Sequence, residues 1–134
     1  MSAALQVDFP FISIKPVGSR ETCSPPPDGT DRDWLALIPI NQWLQMDQYL
    51  STNGWEYGGS ISANNLVVAL PDEHFASYTK NIEGTLENLI VTDSPVFQRR
   101  FMAATGVAKR LNLLEKKDRI DLFQAVLYGN DTGA

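Results

Sequence analysis

The sequence predicts an α+β fold: a small mixed β-sheet with flanking helices and two helices at the C-terminal end. Two observations predict it. Short apolar or alternating segments, separated by breaks that contain Gly or Pro, occupy residues 1–93, whereas residues 94–134 carry two segments of helical periodicity. Because 134 residues is an ordinary size for one domain, we expect residues 1–134 to form a single domain, with a sheet-rich part at 1–93 and a helical part at 94–134.

Two strands joined by a polar loop are predicted first. Residues 11–15 (FISIK) alternate between apolar and polar side chains, as a half-buried strand does, and Pro16 ends the alternation. Residues 24–30 are rich in Pro, Ser, Gly and Asp and can form neither a helix nor a central strand. Residues 34–38 (WLALI) form a continuous apolar run closed by Pro39, which predicts a strand covered on both faces.

A helix is predicted at residues 41–49, with Asn41 as its N-terminal cap. Trp43, Leu44 and Leu50 recur near helical spacing, and Asn53-Gly54 ends the helix. After it, breaks at 58–59, 71–72 and 83–84 separate four predicted strands, at residues 55–57, 66–70, 75–80 and 86–92.

The last third is predicted to be two helices. Asp93-Ser94-Pro95 is a start signal, a capping side chain followed by proline in the first turn. One stripe of this helix then carries Val96, Phe97, Phe101, Ala104, Ala108 and Leu111. Residues 116–128 form the other helix, with Ile120, Phe123 and Leu127 on one face and Gly129-Asn130 as the stop.

Charge and hydropathy limit the possible partners. The net charge of −5 opposes broad binding to DNA, which needs a basic surface. No apolar run approaches the roughly 18 residues of a membrane span, and residues 1–6 lack the features of a signal peptide, so we expect a cytoplasmic protein with no membrane partner. Most of the positive charge lies in the last third and is typical of a solvated face; a strip that grips an RNA or protein acceptor is the alternative.

Cys23 and His74 are the only residues of their kinds. A single cysteine excludes an internal disulfide, and one cysteine with one histidine excludes a zinc site built from such ligands. We expect Cys23 to be an inert free thiol and His74 to lie in a solvated loop.

The most informative segment runs from Gly18-Ser19, through eleven intervening residues, to Asp31-Arg32-Asp33. Gly18 has no Cβ, so its backbone can approach a phosphate closely, and the Ser19 hydroxyl can donate to it. Arg20 is a possible phosphate contact.

Asp31 and Asp33 are two residues apart at the start of a strand, so alternation puts both carboxylates on one face, with their Cα atoms about 6–7 Å apart. Hard oxygen ligands at that separation suit Mg²⁺, which binds carboxylates together with substrate phosphates. The turn at one strand's end and the acid pair on the next strand face each other across a hairpin. The pattern therefore predicts a site for a metal-bound nucleoside triphosphate.

Gly-Ser, a spacer, Asp-x-Asp and an apolar strand together resemble the signature of the DNA polymerase β-type nucleotidyltransferases, above all their minimal stand-alone members. The resemblance covers residues 9–38, and residues 88–92 with the helices after them are similar to small nucleotidyltransferase-like proteins of bacteriophages. It implies a mixed sheet with helices, Mg²⁺, transfer of a nucleoside monophosphate from a nucleoside triphosphate to a hydroxyl, and a third carboxylate on a neighbouring strand.

The third carboxylate position departs from that pattern, because it holds Asn88. Glu87 is one residue away, and alternation would aim it at the opposite face. Asp93 lies past the strand and is predicted to be a helix cap. An amide oxygen can bind a metal but cannot act as a general base, so nucleotide binding is expected while catalysis is in doubt.

Three interpretations follow. The first is an Mg²⁺-dependent nucleotidyltransferase, in which Asp31 and Asp33 are catalytic metal ligands, Gly18, Ser19 and Arg20 bind the nucleotide, and the acceptor is a protein, an RNA or a small molecule. The second is an inactive module of the same fold that binds a nucleotide or a host protein, in the host cytoplasm if a bacteriophage encodes it. The third is a structural or interaction domain without a ligand.

Overall fold

The computed structural model describes residues 7–24, 31–59 and 75–128. The elements of these residues alternate between strands and helices up to the second helix and end in two longer helices. In chain order they are β1 (Ser13–Val17), α1 (Ser19–Thr22), β2 (Arg32–Leu37), α2 (Trp43–Thr52), β3 (Glu56–Gly59), β4 (Phe75–Ile82), β5 (Thr85–Thr92), α3 (Pro95–Leu111) and α4 (Lys116–Tyr128).

The strands form one five-stranded mixed sheet in the order β1-β2-β5-β4-β3. β2 and β5 are parallel, and the other neighbours are antiparallel. Parallel neighbours need a long crossover connection, and here the segment with α2, β3 and β4 provides it. The predicted α+β class, with a small mixed sheet, flanking helices and two C-terminal helices, is confirmed.

Both faces of the sheet are covered. One face, with Trp34 of β2 and Leu89 of β5, packs against Met46 and Leu50 of α2. The other face packs against α3 and α4 through Val17, Leu35, Phe75, Ile90, Phe97, Phe101 and Leu127. Burial on both sides explains the unbroken apolar run of β2, since both alternating sets of its side chains leave water.

The first strand lies two residues later than predicted, because proline does not end it. Pro16 lies inside β1 opposite Trp34. β1 is an edge strand of the described sheet, so one side of it needs no hydrogen-bond donors, and proline is tolerated there. Phe9 and Phe11 precede the strand and pack against the core from outside it.

The start of α2 also differs from the prediction. Asn41 does not cap the helix: its φ is 70°, a left-handed conformation that asparagine tolerates, and Gln42 holds the cap position without a side-chain hydrogen bond. Leu44 is 66% exposed, whereas Met46 and Leu50 are buried. The helix ends at Asn53-Gly54 as predicted, with Gly54 at φ 90°.

The boundaries of the last two helices agree with the sequence. Ser94 caps α3, and its Oγ accepts a hydrogen bond from the backbone N–H of Phe97 at 3.1 Å. Asp93 is not the cap; its Oδ2 accepts a hydrogen bond from Trp43 Nε1 at 2.9 Å. Val96 and Leu111 are exposed rather than part of the buried stripe. Within the described chain, no helix has the length and apolar character needed to cross a membrane.

Several predictions fall on residues outside the described ranges: most of the loop at 24–30, the strand at 66–70, the break at 71–72, the loop position of His74, and the helix stop at Gly129-Asn130.

Candidate functional site

A cavity of about 410 Å³ opens where β1 ends and where β2 and β5 begin. This volume lies in the range of about 300–1,000 Å³ that is usual for small-molecule sites. The strand ends and the segment after β1 contribute five polar residues to its lining: Ser19, Thr22, Asp31, Asp33 and Asn88. Most of the predicted site residues therefore line this one cavity.

Strand register brings these residues together. β1 runs antiparallel to β2 with Val17 opposite Asp33, and β5 runs parallel to β2 with Asn88 opposite Asp33. Gly18 follows Val17 directly and also lines the cavity, as does Asp31, which is exposed just before β2. Arg20 is exposed and is not part of the lining, so the structure does not bring this sixth predicted residue to the cavity wall.

Gly18 packs directly against the side chain of Asp33. A Cβ atom built on Gly18 would lie 2.8 Å from both Cβ and Cγ of Asp33 and would collide with its carboxylate oxygen. The φ of Gly18 is +80°, which side chains rarely adopt. The sequence predicts a plain turn here, but a short helix, α1, begins at Ser19, and Glu21 and Thr22 each donate a backbone hydrogen bond to Gly18 O at 3.0 Å. Only glycine is compatible with this approach.

Asn88 is hydrogen-bonded to the second acid of the pair. Its Nδ2 donates to Asp33 Oδ1 at 3.2 Å. Its Oδ1 is buried and has no hydrogen-bond partner in the described structure. A buried polar oxygen without a partner is costly, so this atom is one of the unsatisfied groups that a site residue can retain.

The carboxyl group of Asp33 has a raised pKa, at about 6 instead of 3.8. Burial is the main cause, and the negative charges of Asp31 and Glu87 add to it. The hydrogen bond from Asn88 and the positive charge of Arg20 act in the opposite direction. A cation bound against Asp33 would favour the charged form and offset the desolvation.

The oxygen donors of the cavity suit a hard divalent cation. The side chains of Asp31, Asp33 and Asn88 belong to the lining of the same space, and Mg²⁺ prefers carboxylate and amide oxygens as ligands. In the described ranges, no cluster of three Asp, Glu, His or Cys side chains that could hold a metal is present. The third ligand position here is an amide, in agreement with the departure seen in the sequence.

Glu87 points away from this cavity, as the alternation of β5 predicts. It is 2% exposed, its Oε1 accepts a hydrogen bond from Trp34 Nε1 at 3.0 Å, and Arg32 Nε lies 3.6 Å from the same oxygen. Trp34 belongs to the cluster on the face of the sheet that packs against α2. Glu87 is therefore a buried structural acid and not the missing third carboxylate.

Sequence reasoning missed the contribution of α4 to the cavity. Lys116, Arg119, Ile120 and Phe123 line it, although the basic residues of this helix were expected to form a solvated face. The spacing i, i+3, i+4 and i+7 is the signal that could have revealed a common face. The apolar positions of α4 predicted only that this face packs on the core. The sequence does not show which of its side chains border a cavity, because that depends on how the helix packs.

Cys23 is a free, buried thiol, as expected. Its Sγ donates to Leu113 O at 3.5 Å and accepts from Arg119 Nη1 at 3.2 Å. The thiol thus belongs to the contact between the end of α1 and the connection from α3 to α4.

Relatives were sought by comparing the chain with known proteins. No family model, curated protein or solved structure matches it.

Proposed function

We propose that the protein is an Mg²⁺-dependent nucleotidyltransferase, which binds a nucleoside triphosphate in this cavity and transfers the nucleoside monophosphate to a hydroxyl acceptor. One observation carries the proposal: Gly18, Ser19, Asp31, Asp33 and Asn88, which come from three separate segments, line the same cavity. A chance surface loop with two acids would not bring a glycine turn and a partnerless amide oxygen to the same point.

Each residue has a role that follows from its chemistry. Asp31 and Asp33 hold the metal, which when bound neutralises charge on the triphosphate and orients the reacting groups. Asn88 Oδ1 offers a third oxygen. Gly18 gives the phosphate tail close access to the backbone, and the Ser19 hydroxyl donates a hydrogen bond to a phosphate oxygen.

The apolar side of the cavity suits the nucleoside. Phe101 and Phe123 both line it and contact each other edge to face, with ring centroids 4.9 Å apart. Bases stack on aromatic rings with little dependence on sequence, so this wall accepts a base without predicting which one. On this proposal the protein acts in the cytoplasm, or in the host cytoplasm if a bacteriophage encodes it, and the acceptor is a protein side chain, an RNA end or a small molecule.

A second candidate function is a nucleotide-binding or host-protein-binding module without transferase activity. Asn88 favours it, because the amide is hydrogen-bonded to Asp33 and cannot take a proton from an acceptor hydroxyl. On this alternative the cavity still binds Mg²⁺ and nucleotide, but no group is transferred.

The two candidates separate on a transfer assay with nucleoside triphosphates labelled at the α-phosphate, Mg²⁺ and cell lysate. The enzyme predicts labelled products with the native protein and none with Asp31→Asn or Asp33→Asn. Nucleotide binding without label transfer favours the module, and we then expect Asn88→Asp to bind Mg²⁺ about tenfold more tightly, because a carboxylate replaces an amide beside the metal. If calorimetry detects no Mg²⁺-dependent nucleotide binding, the enzyme and the nucleotide-binding module are both wrong, and a host-protein-binding module or a ligand-free structural domain remains.

A further inference from the structure

One face of α4 borders the cavity. Lys116 is the first residue of α4, and with Arg119, Ile120 and Phe123 it lines the same space as Asp33. α3 and α4 pack together through Phe101 and Phe123, so this face is held beside the sheet rather than projecting freely. The C-terminal helix therefore contributes charged groups to the proposed nucleotide site.

The two charged groups from α4 are in different states. Arg119 is engaged: its Nη1 donates to Leu113 O and Leu114 O, each at 2.8 Å, and to Cys23 Sγ at 3.2 Å. Lys116 is exposed, and within the parts of the chain that the structure describes its Nζ takes part in no hydrogen bond or ion pair. Of these two cations, Lys116 is the one whose donors are all available to a ligand, whereas Nη1 of Arg119 is already committed to protein acceptors.

A polyphosphate bound to a metal needs such a cation. Two carboxylates can hold the metal, but the phosphate oxygens beyond it keep their negative charge and need positive charge from elsewhere. Arg20, the cation next to the Gly18-Ser19 turn, does not line the cavity, whereas Lys116 does. A lysine offers three donors on a flexible stem and binds a phosphate as a point charge.

We propose that Lys116 of α4 binds the terminal phosphates of the nucleotide, while Asp31 and Asp33 bind the metal ion that accompanies it. This assignment rests on the proposed function, in which the cavity takes a nucleoside triphosphate. It predicts that the contribution of Lys116 to affinity depends on the number of phosphates and not on the base.

Lys117 provides a matched control. It is also exposed on α4, adjacent in sequence and of equal charge, but it does not line the cavity and forms an ion pair with Asp121 at 3.6 Å. Lys116→Gln and Lys117→Gln therefore remove the same charge from neighbouring positions. Both side chains are exposed, so we expect the two variants to unfold at the same temperature as the native protein.

The test is calorimetric titration of the full chain with Mg²⁺ and each of the four nucleoside triphosphates, then with the monophosphate of the base that binds. Lys116→Gln should weaken triphosphate binding about tenfold, the worth of one charge-assisted contact, and change monophosphate binding less than about twofold. Lys117→Gln should change both less than about twofold. Equal losses in the two variants, or no loss in Lys116→Gln, would overturn the assignment.

Inorganic tripolyphosphate with Mg²⁺ serves as a probe that does not depend on the base. Tripolyphosphate binding that is weakened by Lys116→Gln but not by Lys117→Gln supports the contact between Lys116 and a phosphate chain. If the same protein binds no nucleotide, the proposed function is wrong and Lys116 binds a polyphosphate that carries no nucleoside. If nucleotide binding is lost in Asp33→Asn but unchanged in Lys116→Gln, the assignment fails and the proposed function stands. If the native protein binds neither nucleotide nor tripolyphosphate, both are wrong.

Discussion

At the scale of single residues, the ionised side chain of Asp33 lowers the free energy of unfolding. Its buried carboxyl group has a pKa of about 6, above the ordinary 3.8. A group whose pKa is higher in the folded than in the unfolded protein destabilises the fold when it is ionised. That cost is complete above pH 6 and disappears as the pH falls from about 6 to about 4. A cation bound against Asp33 would remove this cost, because it favours the ionised form of the carboxyl group.

The first prediction is that Asp33→Asn stabilises the protein at pH 7.5. The shift in pKa corresponds to at most about 3 kcal/mol, and the oxygen of the new amide can still accept the hydrogen bond from Asn88 Nδ2. Urea unfolding at pH 7.5 and at pH 4 measures the free energy of unfolding of both proteins. The advantage of Asp33→Asn over the native protein should be smaller at pH 4. Asp121→Asn, at an exposed position, should change the free energy of unfolding by less than about 0.5 kcal/mol. A destabilised Asp33→Asn at pH 7.5 would contradict the raised pKa.

The second prediction concerns the approach of Gly18 to Asp33. Gly18→Ala adds a Cβ that collides with the Asp33 carboxylate, in a backbone conformation with φ +80°. Gly84→Ala is the matched control, since Gly84 has φ +87° but no atom within 4 Å of the added Cβ. Both variants should lose about 1 kcal/mol through the backbone, and Gly18→Ala about 1–3 kcal/mol more through the collision. Chemical denaturation measures the difference, and equal losses would show that Asp33 does not pack against Gly18.

At the scale of elements, the short α1 is tied to the connection between α3 and α4. Asn112 Oδ1 accepts a hydrogen bond from Ser24 N at 2.9 Å, and its Nδ2 donates to Ser24 O at 3.2 Å. Lys109 Nζ lies 3.1 Å from Glu21 Oε1, and Arg119 reaches Cys23. These contacts join residues about 90 positions apart, so the two C-terminal helices help to hold the Gly18-Ser19 turn at the cavity.

The third prediction separates the side chain of Asn112 from its backbone. Asn112 ends α3 at φ 48°, so Asn112→Gly keeps the left-handed conformation and removes only the two hydrogen bonds to Ser24. We expect a loss of about 1–2 kcal/mol, together with faster hydrogen exchange in residues 18–24, because α1 loses this contact. Thermal unfolding and amide exchange measure the two effects. Unchanged exchange in residues 18–24 would show that α1 holds its place without Asn112.

At the scale of the whole molecule, the features set by local sequence could be predicted. The Ser94-Pro95 start of α3 depends on a cap and the start of α4 at Lys116 on helical periodicity, and the structure agrees with both. Features set by packing could not be predicted. Pro16 lies within a strand only because β1 is at an edge, and Asp93 bonds to Trp43 only because α2 packs nearby.

The candidate site divides in the same way. The sequence predicted that Gly18-Ser19 and the pair Asp31 and Asp33 would meet across a hairpin, because alternation puts both carboxylates on one face. The hydrogen bond from Asn88 to Asp33, the raised pKa of Asp33 and the place of Lys116 in the cavity wall all depend on register and helix docking. The local sequence does not predict these features, because they depend on how segments far apart in the chain pack together.

The most direct test of the proposed site is where a metal binds. Mn²⁺ takes the place of Mg²⁺ at oxygen sites and broadens the NMR signals of nearby amides, so a titration in the presence of a nucleoside triphosphate locates the ion. The proposal predicts selective broadening of Gly18, Ser19, Asp31, Asp33 and Asn88, lost in Asp31→Asn and Asp33→Asn. Broadening confined to other acids, such as Asp118 and Asp121 on α4, or none at all, would contradict it.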